Sequence, residues 1–123
     1  MKVAVFKEVS FDAAHSLPHL PSTHKCSRLH GHTYHVRIEV TGEVDPSTGW
    51  VVDYAEIARF WQPCMNSLDH HCIDGLIRVD GKPVPSTSEN LAAWIWGCLD
   101  PVLPGLSAVI VRETDTAGAE VRR

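Results

Sequence analysis

The most constraining stretch of this chain is the alternation that runs from His30 to about Glu43. Val36, Ile38 and Val40 fall on one parity, while His35, Arg37, Glu39 and Thr41 fall on the other. Successive strand residues point to opposite faces, so this pattern predicts a long strand with one buried and one solvated side. A second alternating run, residues 2–14, places Val3, Val5, Val9 and Phe11 on one parity, broken only by Lys7. Two strands of this length must bury their apolar faces against something, and the rest of the chain supplies helices. Ile57, Phe60, Trp61, Cys64, Met65 and Leu68 recur at helical spacing over residues 53–68, where Pro63 is expected to kink or loosen the helix. Ser86-Thr87-Ser88-Glu89 has capping-box spacing and opens a second helix through about Leu99. Residues 108–113 and 119–123 read as two more strands. The expected fold class is therefore α+β: a four-stranded antiparallel sheet with two helices on one face, in β-β-α-α-β-β order. A length of 123 residues fits a single domain over 1–123.

The histidines follow from the same alternation. His30, His32 and Tyr34 share parity with Val36–Val40, and His15 continues the parity of Phe11. An unpaired polar group on an inward face costs free energy, and metal binding would satisfy it. Neutral imidazole is a good zinc ligand, and a catalytic Zn²⁺ commonly takes three protein ligands and keeps one position open. His15, His30 and His32 are the expected set, although imidazole also suits Fe²⁺ and Ni²⁺. The competing view is of core or surface histidines that alternate by chance.

Cys26 stands beside His24, Lys25 and Arg28, and cationic surroundings raise the thiolate fraction of a thiol. It is a catalytic thiolate, a fourth ligand or an inert loop cysteine, in that order of preference. Asp69-His70-His71 follows the first helix: either a carboxylate-oriented imidazole for general acid–base work, or a polar helix end favoured by the dipole. Glu113 shares parity with Val109 and Val111. It either holds the amidine-like edge of a heterocycle or is an ordinary strand-end carboxylate. Cys64 and Cys98 lie in apolar helical patterns and read as buried and inert. Cys72 is expected to be dispensable.

Net charge of −4 offers no electrostatic footprint for nucleic acid. No leader pattern or membrane-length apolar run is read in the sequence, and the cysteines lack a secreted framework, so a soluble cytoplasmic protein with no membrane partner is expected. A domain this small has little surface for a complete enzyme site, which favours a homo-oligomer.

Phe11-Asp12-Ala13-Ala14-His15, His24-Lys25-Cys26, Leu29-His30-Gly31-His32, Gly42-Glu43-Val44-Asp45, Leu68-Asp69-His70-His71, Thr87-Ser88-Glu89-Asn90-Leu91-Ala92 and Glu113-Thr114 together resemble the 6-pyruvoyl-tetrahydropterin synthase family, in its order and over nearly the whole chain. The resemblance implies the tunnelling fold (T-fold), trimers that pair into hexamers, and Zn²⁺ on His15, His30 and His32. It implies Cys26 as catalytic base, His70 with Asp69 as the second proton-transfer group, and Glu113 as the pterin anchor. Three residues separate Cys26 from His30, a spacing that resembles the queuosine-pathway branch, the 6-carboxy-tetrahydropterin synthases. That branch implies conversion of 7,8-dihydroneopterin triphosphate to 6-carboxy-tetrahydropterin with loss of acetaldehyde and triphosphate; Lys25 and Arg28 are nearby candidates for the triphosphate. Two alternatives remain: a 6-pyruvoyl product without carbon–carbon cleavage, and a non-catalytic protein whose Cys26 closes a His₃Cys zinc site. Residues 73–85 are the part least like the family, and the turn residues Asp74-Gly75 and Asp80-Gly81-Lys82-Pro83 bound a loop-rich insertion there.

Overall fold

The computed structural model describes residues 1–123. Strands β1 (Lys2–His15) and β2 (His30–Glu43) form a 14-residue antiparallel ribbon in unbroken register, from Lys2 opposite Glu43 to His15 opposite His30. Helix α1 (Tyr54–Leu68) follows, then the short strands β3 (His71–Cys72), β4 (Arg78–Val79) and β5 (Lys82–Pro83), helix α2 (Ser88–Leu99), and strands β6 (Leu106–Arg112) and β7 (Gly118–Arg122). The main sheet has the order β3-β1-β2-β6-β7. It is therefore five-stranded, not four-stranded as expected, because the two-residue β3 adds to the free edge of β1 in parallel, at Ala13 and Ala14. The α+β class and the antiparallel arrangement of the four longer strands are as expected. β4 and β5 make a separate hairpin around Asp80-Gly81, both at positive φ (52° and 76°), as a tight two-residue hairpin turn requires.

Parity decides burial along the ribbon. Phe11, Ala13, Tyr34, Val36, Ile38 and Val40 are buried beneath the helices, whereas the opposite face carries an ionic network. There Glu39 lies 3.3 Å from both Arg37 and Arg122, and the Arg37 guanidinium covers the Phe6 ring. Ile57, Trp61, Cys64 and Leu68 dock α1 on the sheet; Leu91, Ala92, Ile95 and Leu99 dock α2. Asp53 caps α1 by accepting from Ala55 N–H at 2.8 Å, and Thr87 caps α2 by accepting from Asn90 N–H at 3.3 Å. The expected disruption at Pro63 does not occur: α1 runs through it. Pro63 forfeits one backbone bond, but it sits on the exposed side, and the buried stripe holds the helix. Cys64 is buried as expected, whereas Cys98 is exposed.

Residues 73–83 are less loop-like than the sequence implies. Ile73 and Ile77 are fully buried, and Ile73 N–H donates to the Ala14 carbonyl at 2.9 Å. These contacts pin the segment beside the end of β1, next to His15.

Candidate metal centre

His15 and His30 are paired opposite one another at the mouth of the ribbon, and His32 lies two residues further along β2 on the same face. Their ligand-capable nitrogens all lie within 4.8 Å of one another, with ring centroids 4.5–5.0 Å apart. The strands alone produce this convergence, as the alternation implied.

The hydrogen bonds fix which nitrogen of two rings faces the cluster. His15 Nδ1–H donates to the Ser86 carbonyl at 2.9 Å, and His30 Nδ1–H donates to the Arg28 carbonyl at 2.7 Å. A carbonyl only accepts, so each ring carries its proton on Nδ1 and turns the Nε2 lone pair inward. His15 Nε2 and His32 Nε2 are buried without a partner. Burial pushes the His32 pKa down, an effect that His15 and His30 reinforce and Glu113 opposes. The net shift favours the neutral form of His32, the form that binds metals. Three converging imidazoles, two of them with a buried, unpaired Nε2, fit a Zn²⁺-type ion and leave a fourth position open.

Cys26 does not join this cluster, so the closed His₃Cys arrangement lacks its fourth donor. The thiol lies on a short 3₁₀ turn, Lys25–Ser27, half-exposed, within the loop that joins β1 to β2. Leu17 N–H donates to the Cys26 carbonyl at 2.8 Å, which ties that turn to the chain two residues past His15. Lys25 and Arg28 flank it, both exposed.

Glu113 follows β6 directly and brings its carboxylate to 3.8 Å from His32 Nε2, beyond hydrogen-bond reach, leaving its oxygens available at the edge of the cluster. Asp69 and His70 sit on the other side. His70 Nδ1 is 2.9 Å from Asp69 Oδ2, and the Asp69 hydrogen bond raises the His70 pKa above the ordinary imidazole value. β1 holds this pair through two backbone bonds: Asp12 N–H donates to Asp69 Oδ1 at 3.0 Å, and His70 N–H donates to the Asp12 carbonyl at 2.7 Å. His70 adopts φ 58°, an uncommon left-handed conformation for a non-glycine residue, which turns the chain off α1 and onto the sheet edge. An open cleft of about 420 Å³ joins His70 and His71 to His32, with Cys72 in its wall.

Two residues with no expected site role complete the surroundings. Ser86 holds His15, and Asp74 accepts from Ser86 Oγ at 3.1 Å, from Ser16 Oγ at 2.6 Å and from Ser16 N–H at 2.9 Å. Burial works against ionisation of Asp74, but the Ser16 and Ser86 hydrogen bonds outweigh it and hold the carboxyl below the usual carboxylate range. Neither residue carries a local signal, because both act across long stretches of sequence.

A 6-carboxy-5,6,7,8-tetrahydropterin synthase of Synechocystis is 37% identical over 121 residues, covering 94% of this chain and 89% of that protein. The human 6-pyruvoyl tetrahydrobiopterin synthase is also 37% identical, over 124 residues, with coverage of 90% and 85%. The solved Caenorhabditis elegans 6-pyruvoyl tetrahydropterin synthase superposes with a TM-score of 0.86 at 29% identity, covering all of this chain and 96% of that one. Residues 4–123 match the family described as 6-pyruvoyl tetrahydropterin synthase, and the chain belongs to that family.

Proposed function

We propose that this chain is a zinc-dependent lyase that converts 7,8-dihydroneopterin triphosphate to 6-carboxy-5,6,7,8-tetrahydropterin, releasing acetaldehyde and triphosphate, in queuosine (7-deazaguanine) biosynthesis. Membership of a family of pterin-metabolising enzymes is the firm ground beneath this reading. The observation that carries it is the set of three converging imidazoles, two of them with a buried, unpaired nitrogen, beside a free carboxylate and a carboxylate–imidazole pair. Equal identity to relatives with two different products means that overall similarity does not choose the product. The Cys26–His30 spacing favours the carboxy product.

His15, His30 and His32 would hold the Zn²⁺, which would supply Lewis acidity at the open position of the site. The residues of the chain do the rest. Cys26, on its tethered turn, removes a carbon-bound proton as thiolate. His70, whose protonated form Asp69 favours, delivers a proton through Nε2, because its Nδ1 is engaged. Glu113 accepts from the amino and ring N–H groups of the pterin and so sets which carbon faces the base. Lys25 and Arg28 meet the triphosphate. The cleft is open and His70 is exposed, which is compatible with a site roofed by another subunit in a trimer-based hexamer. Four free cysteines fit a reducing cytoplasm, and no helix is long and apolar enough to cross a membrane.

The test is turnover of 7,8-dihydroneopterin triphosphate by zinc-loaded protein, following acetaldehyde and pterin products together. Acetaldehyde with the 6-carboxy product is expected. A 6-pyruvoyl product without acetaldehyde would place the chain on the other branch of the family. Within that assay, Glu113→Gln should raise KM and leave zinc content unchanged. An unchanged KM would remove its anchoring role.

A further inference from the structure

We propose that Asp74 is a positioning residue for the metal centre: through Ser86 and Ser16 it locks the ring of His15 with Nε2 directed at the cluster. The inference rests on the metal-centre reading and extends it to the segment of the chain least like the family.

His15 is the only ligand that is fully buried, at 1% exposure, and its ring is held from a distance in sequence. His30 needs only the carbonyl of Arg28, two residues before it. His15 instead relies on Ser86, 71 residues away. Ser86 is itself 3% exposed and presents two acceptors to His15 Nδ1, its carbonyl at 2.9 Å and its Oγ at 3.2 Å. Oγ accepts from the ring because its own proton goes to Asp74 Oδ1 at 3.1 Å. The same carboxylate accepts from Ser16 N–H at 2.9 and 3.1 Å and from Ser16 Oγ at 2.6 Å. Asp74 therefore grips both the residue that follows His15 and the residue that holds its ring. Its own position is set by Ile73, fully buried and bonded to the Ala14 carbonyl. A carboxylate behind a ligating histidine fixes tautomer and ring orientation and increases ligand basicity, and loss of such an outer partner typically weakens metal affinity.

The experiment compares the wild-type protein with Asp74→Asn. Zinc affinity is measured by competition with a chromogenic chelator. The His15 and His30 tautomers in the metal-free protein are read from long-range ¹H–¹⁵N correlations. Asp74→Asn should weaken zinc binding about tenfold to a hundredfold. It should also turn the single Nδ1–H signature of His15 into a mixture, with His30 unchanged as the internal control. Unchanged affinity with an unchanged His15 signature overturns the proposal. So does a lower melting temperature with unchanged affinity, which would mark Asp74 as a loop anchor only. If Asp74→Asn does not fold, Ser86→Ala keeps the carbonyl that His15 Nδ1–H donates to and removes Oγ, and with it both the link to Asp74 and the longer contact to the ring. A smaller loss of zinc affinity is then expected, and wild-type affinity overturns the link. Wild-type protein that takes up no zinc would remove the metal centre instead, and the His15 signature in the two metal-free proteins would still decide the Asp74 contact.

Discussion

The two ends of the β1–β2 ribbon obey one geometric rule and reach opposite chemical outcomes. In the middle, inward parity places Phe11, Val36, Ile38 and Val40 against the helices, and these side chains complete one another by packing. At the mouth, the same parity places Ala13, His15, His30 and His32 inward, and the imidazoles do not complete one another. Tyr34 marks the border: its ring stacks on Phe11 at 4.9 Å, while its hydroxyl is buried without a partner. A buried unpaired polar group costs about 1–3 kcal/mol, so the mouth is tolerated only because the rest of the ribbon is well packed. An end that the protein fold alone leaves incomplete is where a ligand belongs.

The sharpest way to break this contrast is to swap the expected behaviours. His32→Ala should abolish stoichiometric zinc binding and activity, yet leave the melting temperature of the metal-free protein unchanged or raised, because it deletes an unpaired buried nitrogen. Calorimetry with zinc titration checks both halves, and full zinc uptake by the variant would dismantle the ligand set. Ile38→Ala should do the reverse. It truncates a fully buried side chain and should cost about 2–5 kcal/mol in urea unfolding while zinc stoichiometry stays intact. If Ile38→Ala lost zinc as readily as stability, the two ends would be one cooperative unit rather than scaffold and site.

The contrast also explains what was readable in the sequence. Alternation exposes β1, β2 and the inward direction of three histidines, because strand periodicity is local. Helical stripes expose α1 and α2 for the same reason, and the cap signal of α2 is off by one residue: Thr87 caps the helix, not the Ser86 at which the capping-box spacing starts. The two-residue β3 has no periodicity to read: both residues are exposed, and only its pairing with Ala13 and Ala14 defines it. The β4–β5 hairpin did carry a signal, Asp80-Gly81, which is as compatible with a tight hairpin as with the loop boundary inferred from it. Pro63 misled because a local rule was applied where burial of the opposite helix face prevails. At the site, the identity and inward direction of the histidines were legible, but the partner that holds the His15 ring was not. Nothing near His15 in sequence announces Ser86, and Asp74 looks like turn chemistry until the fold places it beside Ser16.

The smallest expected effect lies at the edge of the mouth, where the Asp69–His70 pair is solvent-facing. Asp69 raises the pKa of His70 in the folded chain, so His70 stays protonated to higher pH than a free imidazole does. The sign of the linkage follows. The resulting stabilisation is fully present below the unfolded pKa and fades as pH rises through the raised folded pKa. Because His70 is exposed, this contribution to stability should be slight, and the informative readout is the titration itself. Asp69→Asn keeps an oxygen to accept from Asp12 N–H, so the backbone anchor survives while the charge is lost. His70 in the variant should titrate closer to an ordinary histidine, as followed by NMR. The alkaline limb of the kcat profile should move to lower pH with it, since the proton-bearing form would be lost sooner. A shifted His70 titration with an unmoved kcat profile would leave the carboxylate–imidazole pair intact as structure and remove it from proton transfer. The mouth would then be a metal centre whose acid lies elsewhere.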